Sequence, residues 1–317
     1  MSMPNYLDMA NLRIYRPPSK PNYDAKGIKF LRTIDGHSIA MCMVTPFEAA
    51  VDTLEDYQNR CDALVFSHGN ADDIGSCLSY CQWLATSLKV NVFVYDYVNY
   101  GHSSKGTTSE DNLHHSIEAV YGYLTAALKI PNEKIFLFGK SLGSIPTIWL
   151  GSRDYINILA GIILVSPLAS GARIMIQGNH IPKQWMHRLD SIFGPNISYI
   201  NRVRQPVYII HGTRDDIIPI RNSYDLWDRL TPRAQYPPLW LDAGHNDIEY
   251  LHRSLFISCV QSYVDQRRVD LKDEVVDSLD IDRKTKGSVL DKYSGDASAF
   301  ISFVEDYPYE LEEEHES

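Results

Sequence analysis

Ser141, Asp215 and His245 are the residues of this chain whose types and surroundings could carry covalent chemistry. Ser141 lies in FGKSLGSI (Phe138–Ile145), between Gly139 and Gly143 and directly behind an apolar run, KIFLF. A serine hydroxyl is a weak nucleophile at neutral pH and needs a base to take its proton. His245, in DAGHNDIE, can take that proton and return it to a leaving group. An imidazole base needs a carboxylate to fix its tautomer, and Asp215 in IIHGTRDDIIP is a candidate. Asp216 competes for that role, and the spacing H-G-x-x-D selects Asp215. The negative charge that develops during attack needs donors, and the backbone N–H groups of Asn70 (in VFSHGNADD) and Leu142 are the candidates. The pattern G-x-S-x-G is short enough to arise by chance, so the case rests on the elements that position these residues.

Residues 13–23 (RIYRPPSKPNY) are proline-rich, and 1–26 are expected to form an extended lead-in. Alternating runs at Ile28–Ile34 and Ser38–Thr45, joined by Asp35-Gly36, predict an antiparallel hairpin. Strands are expected at Ala63–Ser67, Asn91–Tyr95, Ile135–Phe138, Ile162–Val165, Val207–Ile210 and Leu239–Asp242. Helices are expected at Ile74–Leu88, Glu110–Leu128, from Leu142 to Leu150, and at Asp247–Val264. Continuous apolar strands separated by helices imply a mostly parallel sheet covered on both faces, an α/β domain over 27–268. Residues 168–205 break that rhythm and read as a small cap-like insertion; Met175, Trp185, Met186 and Phe193 could line an acyl pocket or fill core beneath it. Residues 269–317 read as an acidic tail, partly disordered.

In this frame every candidate residue follows a strand. Ser141 would sit on a tight strand-to-helix bend, with glycines where a Cβ would collide and a helix N-terminus facing the developing charge. Ser141, Asp215, His245 is the order of a triad on an α/β-hydrolase sheet. His68 and Asp96 are read as structural, and His114 and His115 as helix-borne fillers rather than ligands.

The chain resembles the α/β-hydrolase superfamily, and within it the subfamily of α/β-hydrolase domain-containing protein 17 and its relative numbered 13. The segments that carry the resemblance are RPPSKPNY, FSHGNADDIG, VFVYDYVNYGHSS, IFLFGKSLGSIPT, VSPLASGAR, PVYIIHGTRDDIIP and PLWLDAGHNDIEY, within roughly residues 16–265. The resemblance implies a serine hydrolase and, for the best-known members, removal of palmitate from protein cysteines by thioester hydrolysis. Three departures stand against it. Those members anchor to membranes through N-terminal acylated cysteines, whereas no cysteine precedes Cys42 here. Asn99 stands where the family usually has glycine, and Lys140 where it usually has glutamine. Lys140 could attract an acidic substrate or point away, and the second is preferred.

Composition narrows the alternatives. From Asp270 to Ser317, 15 Asp/Glu face 5 Lys/Arg, which accounts for the whole net charge of -10. A neutral body with an acidic tail offers no footprint for nucleic acid, although the tail could dock a protein partner. The five cysteines are sparse; Cys77 and Cys81 share a helix face and are expected to be buried structural thiols. No apolar run reaches a membrane span, and the start has neither a secretory pattern nor a myristoylation glycine. A cytoplasmic protein with at most peripheral membrane contact and no anchor is expected. The reading is therefore a serine hydrolase for an acylated protein or a small acyl ester, needing no cofactor and no metal. A lipid esterase, a peptidase-like hydrolase, or a binding protein that kept the fold are the alternatives; retention of all three triad candidates argues for the enzyme.

Overall fold

The protein is described by a computed structural model over residues 15–46, 62–156, 158–175, 190 and 194–284. Its strands are β1 (Lys29–Arg32), β2 (Ser38–Val44), β3 (Asp62–Ser67), β4 (Val90–Tyr95), β5 (Ile135–Lys140), β6 (Gly161–Val165), β7 (Val207–Gly212) and β8 (Leu239–Leu241). They form one sheet in the order β1-β2-β4-β3-β5-β6-β7-β8. β1 and β2 are antiparallel, β2 meets β4 antiparallel, and the rest of the sheet is parallel. This is the α/β-hydrolase architecture expected from the sequence.

The central strands are largely apolar because both faces are buried. Val65, Leu137, Leu164 and Ile209 point to one side. Leu64, Phe66, Phe136, Phe138, Ile163 and Ile210 point to the other. The first side is covered by α2 (Glu110–Gly122) and α3 (Ser144–Gly151), through Leu113, Ile117, Ile145 and Ile148. The second is covered by α1 (Ile74–Leu88) and α8 (Arg253–Lys284), through Ile74, Cys81, Leu84, Phe256 and Val260. Cys77 and Cys81 are buried thiols on α1, and burial pushes both thiol pKa values up, as inert structural cysteines require.

Some boundaries differ from the sequence reading, each for a local reason. The helix expected to run to Leu128 turns into a wider π turn over Tyr123–Ala127, where Thr125 Oγ1 donates to the Tyr121 carbonyl at 2.9 Å. The closing helix is split into α7 (Ile248–Leu251) and α8, and the break falls at His252, whose ring nitrogen lies 3.2 Å from the Asp242 carbonyl. α8 then runs through to Lys284, so the boundary at 268/269 falls inside a helix. Arg267 holds it to the Ala160 carbonyl at 2.8 Å, Arg268 pairs with Asp62 at 2.6 Å, and Leu271 is buried.

Of the 168–205 insertion, α4 (Gly171–Met175), Asp190 and the stretch from 194 with α5 (Asn196–Tyr199) are described. Arg173 grips Asp190 with two hydrogen bonds, 2.7 and 2.8 Å, and also pairs with Asp225 on α6 (Arg221–Trp227). Trp185, Met186, Phe193, the side chain of Met175 and the acidic tail beyond residue 284 lie outside the described residues.

Candidate active site

β5 ends at Lys140 and the chain turns through a single 3-10 turn, Ser141–Gly143, into α3. The turn is tight enough to force Ser141 to φ 53, left-handed backbone that a residue with a Cβ rarely adopts. Its flanking glycines are demanded by contact. A Cβ on Gly143 would stand 2.0 Å from the Ser67 carbonyl oxygen, and one on Gly139 would stand 2.7 Å from the Gly143 carbonyl oxygen. The same contacts press the elbow against the end of β3, where the loop carrying Asn70 begins.

The three sequence candidates meet. His245 Nε2 lies 3.0 Å from Ser141 Oγ, and His245 Nδ1 lies 2.7 Å from Asp215 Oδ2. With Nδ1–H donating to the carboxylate, Nε2 is left to accept the serine proton. Asp247 steadies the histidine loop, its Oδ1 accepting the Gly244 N–H at 2.6 Å. Asp215 is buried whereas Asp216 is exposed, which separates the two rivals. Asp215 Oδ1 accepts the N–H groups of Ile217 and Ile218 at 3.0 and 2.7 Å. Burial alone would raise its pKa. Hydrogen bonds from His211 and His245, the charge of His245 and the Ile218 N–H outweigh that and hold the carboxyl well below the usual carboxylate range.

His211 is a further residue of the site, with no role assigned from sequence. It is fully buried on β7, with Nε2 3.1 Å from Asp215 Oδ2 and 2.8 Å from the Ile218 carbonyl, and Nδ1 2.6 Å from Ser223 Oγ. Both partners of Nε2 are acceptors, so Nε2–H donates toward them and Asp215 Oδ2 is held between two imidazoles. The visible signal was the H of the H-G-x-x-D spacing, which places that histidine one helical-turn length before the acid.

Asn70 lies three residues past β3, and its side-chain Oδ1 accepts hydrogen bonds from Arg16 N–H at 2.9 Å and Tyr100 O–H at 2.8 Å. Tyr97 O–H holds the His68 carbonyl at 2.8 Å. Leu142 is buried in the 3-10 turn behind Ser141. His68 and Asp96 are both fully buried, 3.3 Å apart, in structural positions beneath this loop. His114 stacks on Trp149 and His115 faces Asp35. Among the described residues no group of three or more His, Cys, Asp or Glu is arranged to hold a metal ion.

Comparison with known proteins follows the same lines. The α/β-hydrolase domain-containing protein 17B of Xenopus tropicalis is 36% identical over 209 residues, which are 66% of this chain and 68% of that protein. The chain belongs to the α/β-hydrolase domain-containing protein 17 family. Protein 17C of Xenopus laevis is 42% identical over 195 residues, 60% of this chain and 59% of that protein. The α/β-hydrolase domain-containing protein aho-3 of Caenorhabditis elegans is 35% identical over 239 residues, 75% of this chain and 65% of that protein. The chain thus spans less than two thirds of the length of these last two relatives. A family described as "Serine aminopeptidase, S33" matches residues 58–199. Among solved structures, the Pyrococcus furiosus esterase Pf2001 superposes with a TM-score of 0.60 at 15% identity, over 80% of this chain and 98% of that one. Est1E from Butyrivibrio proteoclasticus, with ferulic acid bound, gives 0.59 at 14% identity, over 76% and 99%. These two likenesses establish the α/β-hydrolase fold.

The family's glycine turn survives its substitution here. Asn99 adopts φ 75, a left-handed conformation that asparagine tolerates better than most residues. Lys140 is engaged by Glu249 at 2.8 Å. No helix among the described residues is long and apolar enough to cross a membrane.

Proposed function

We propose that this α/β-hydrolase is a serine hydrolase that cleaves acyl esters or thioesters through an acyl-enzyme. The observation that carries the reading is the continuous chain Ser141–His245–Asp215, with links of 3.0 and 2.7 Å, ending on a serine at φ 53. Ser141 Oγ attacks the acyl carbonyl carbon as its proton passes to His245 Nε2. The carbonyl oxygen takes the negative charge and is held by the N–H groups of Asn70 and Leu142. Collapse of the tetrahedral adduct expels the alcohol or thiol, which receives the proton from the imidazolium. Water, deprotonated by His245, then attacks the acyl-serine, and the carboxylic acid leaves. Asp215 stays ionised throughout and stabilises the imidazolium, as its depressed pKa favours.

Family membership favours long-chain S-acyl groups on protein cysteines as the substrate, with small lipid esters as the second class. The description of the matching S33 family raises a third, peptide amides. The test is fluorophosphonate labelling of wild type and Ser141→Ala, followed by competition with acyl thioesters, oxygen esters and aminoacyl amides of graded length. Labelling of wild type that disappears in Ser141→Ala, with long-chain thioesters competing best, is the expected outcome. Labelling unchanged in Ser141→Ala would overturn the assignment of the nucleophile. Competition by aminoacyl amides alone would overturn the acyl substrate.

A further inference from the structure

Residues 15–23 contain neither helix nor strand, yet they are fastened to the loop between β3 and α1 at successive points. Arg16 N–H and Tyr100 O–H both donate to Asn70 Oδ1, at 2.9 and 2.8 Å. Asn22 N–H donates to Asp73 Oδ2 at 2.7 Å, while Asp73 Oδ1 caps α1 by accepting Ser76 N–H at 2.9 Å. Tyr23 O–H donates to Asp96, whose other oxygen accepts Ile74 N–H at 2.8 Å. There is no slack along this seam. A Cβ on Gly75 would stand 2.6 Å from the Asn22 carbonyl oxygen, and one on Gly101 would stand 2.8 Å from the Tyr23 hydroxyl.

The fastened loop is the one that carries the Asn70 N–H. An oxyanion donor works only if its direction is fixed before charge develops, because reorientation during the reaction costs part of what the hydrogen bond would contribute. Backbone loops are mobile unless held. This one is held at residue 68 from beneath, by Tyr97, at 70 and 73 by the strap, and at 74 by Asp96, just past β4. The strap is itself stiff. Pro17, Pro18 and Pro21 fix their φ angles, and Arg16 and Lys20 precede prolines and are biased to extended backbone. Such a strap loses little entropy on docking.

We infer that residues 15–23 form a positioning strap of the oxyanion hole: Arg16 N–H, with the Tyr100 hydroxyl, clamps the Asn70 side chain and so aims the Asn70 backbone N–H. The inference rests on the serine-hydrolase reading and adds to it a segment far from the triad in sequence. The strap acts on the charged intermediate and not on substrate binding, so its loss must lower kcat and leave KM nearly alone.

The experiment uses the full chain with Asn70→Ala, which keeps the N–H and removes the clamp, with Tyr100→Phe and Arg16→Pro, which each remove one donor, and with the two pairwise combinations with Asn70→Ala. Loss of a whole oxyanion donor typically costs about 10²–10³ in kcat, so a misaimed one is expected to cost roughly tenfold, with KM within about twofold. Inhibition by an alkyl trifluoromethyl ketone, whose serine adduct is an oxyanion, is expected to weaken in parallel with kcat. Tyr100→Phe and Arg16→Pro are expected to add little in the Asn70→Ala background, because all three act through one oxygen. Thermal melts identify folded variants, and Tyr23→Phe, which preserves the ring and removes a donor that belongs to the strap itself, carries the test if Arg16→Pro does not fold. Folded variants with unchanged kcat, fully additive losses, or unaltered ketone inhibition would overturn the strap. Where these occur in a protein whose wild type labels with fluorophosphonate and whose Ser141→Ala does not, the hydrolase reading stands and the strap alone falls. Labelling that persists in Ser141→Ala removes both.

Discussion

Lys140 Nζ lies 2.8 Å from Glu249 Oε1, which joins the residue before the candidate nucleophile to the helix that follows the candidate base. The two residues are 109 positions apart, and both side chains are largely buried. The Lys140 ammonium also sits over the Tyr80 ring, 5.2 Å from its centroid. The pair ties the end of β5 to α7, the elements next to the candidate nucleophile and the candidate base in the chain.

Removing Lys140 would leave Glu249 desolvated beside an aromatic ring. Lys140→Ala is expected to destabilise the fold by about 1–2 kcal/mol, less than for a fully buried pair because water still reaches the lysine. Lys140→Gln, the residue usual in the family, can still donate to Glu249 and is expected to cost about half as much. Urea denaturation of both variants checks the order. If Lys140→Ala proved no less stable than Lys140→Gln, the carboxylate would not depend on its partner.

The strain at Ser141 makes a prediction of opposite sign for stability and activity. Glycine adopts φ 53 without a Cβ penalty, whereas alanine does not. Ser141→Gly is therefore expected to be about 1 kcal/mol more stable than Ser141→Ala, with hydrolysis abolished in both. Paired thermal melts measure the difference, and equal melting temperatures would mean that the bend holds no strain.

At Gly143 the constraint is contact with backbone, which cannot move aside as a side chain can. With an added Cβ only 2.0 Å from the Ser67 carbonyl oxygen, Gly143→Ala is expected to lose about 3 kcal/mol or more, or to fail to fold. Gly36 is the control. It has open space around it, so Gly36→Ala there is expected to cost only its left-handed φ of 85, about 1–2 kcal/mol. Soluble yield and denaturation midpoints rank the two, and a Gly143→Ala protein as stable as Gly36→Ala would contradict the contact.

Much of this site was legible in the sequence because of where a parallel sheet puts its loops. Strands buried on both faces read as unbroken apolar runs, and Ser141, Asp215, His245 and Asn70 each follow one, so their order alone assembled the site. His211, the Lys140–Glu249 pair and the strap left no such trace. The ion pair and the strap depend on contacts between segments far apart in the chain, and His211 on which face of a buried strand it occupies. Periodicity carries no information about either. The length of α8 escaped for a related reason: its anchors are Arg267 and Arg268, and charged residues in an acidic stretch read as solvated chain until Ala160 and Asp62 are seen beneath them.

The electrostatics of Asp215 predict the acid limb of stability. Its pKa is depressed in the folded protein, so ionised Asp215 favours folding. That contribution is complete above the unfolded value of about 3.9 and is lost as pH falls toward the lower folded value. Asp215→Asn removes the titrating group, so its stability is expected to fall less steeply than that of wild type below about pH 4, with the two curves running parallel from about pH 5 to 7. His211→Gln, which takes away one of the two imidazoles on Oδ2, is expected to weaken the depression and lie between them. Urea midpoints measured from pH 2.5 to 7 decide it. An acid limb as steep in Asp215→Asn as in wild type would assign the acid sensitivity to other carboxylates, and the pairing of Asp215 with His245 and His211 would then contribute little to the folded state.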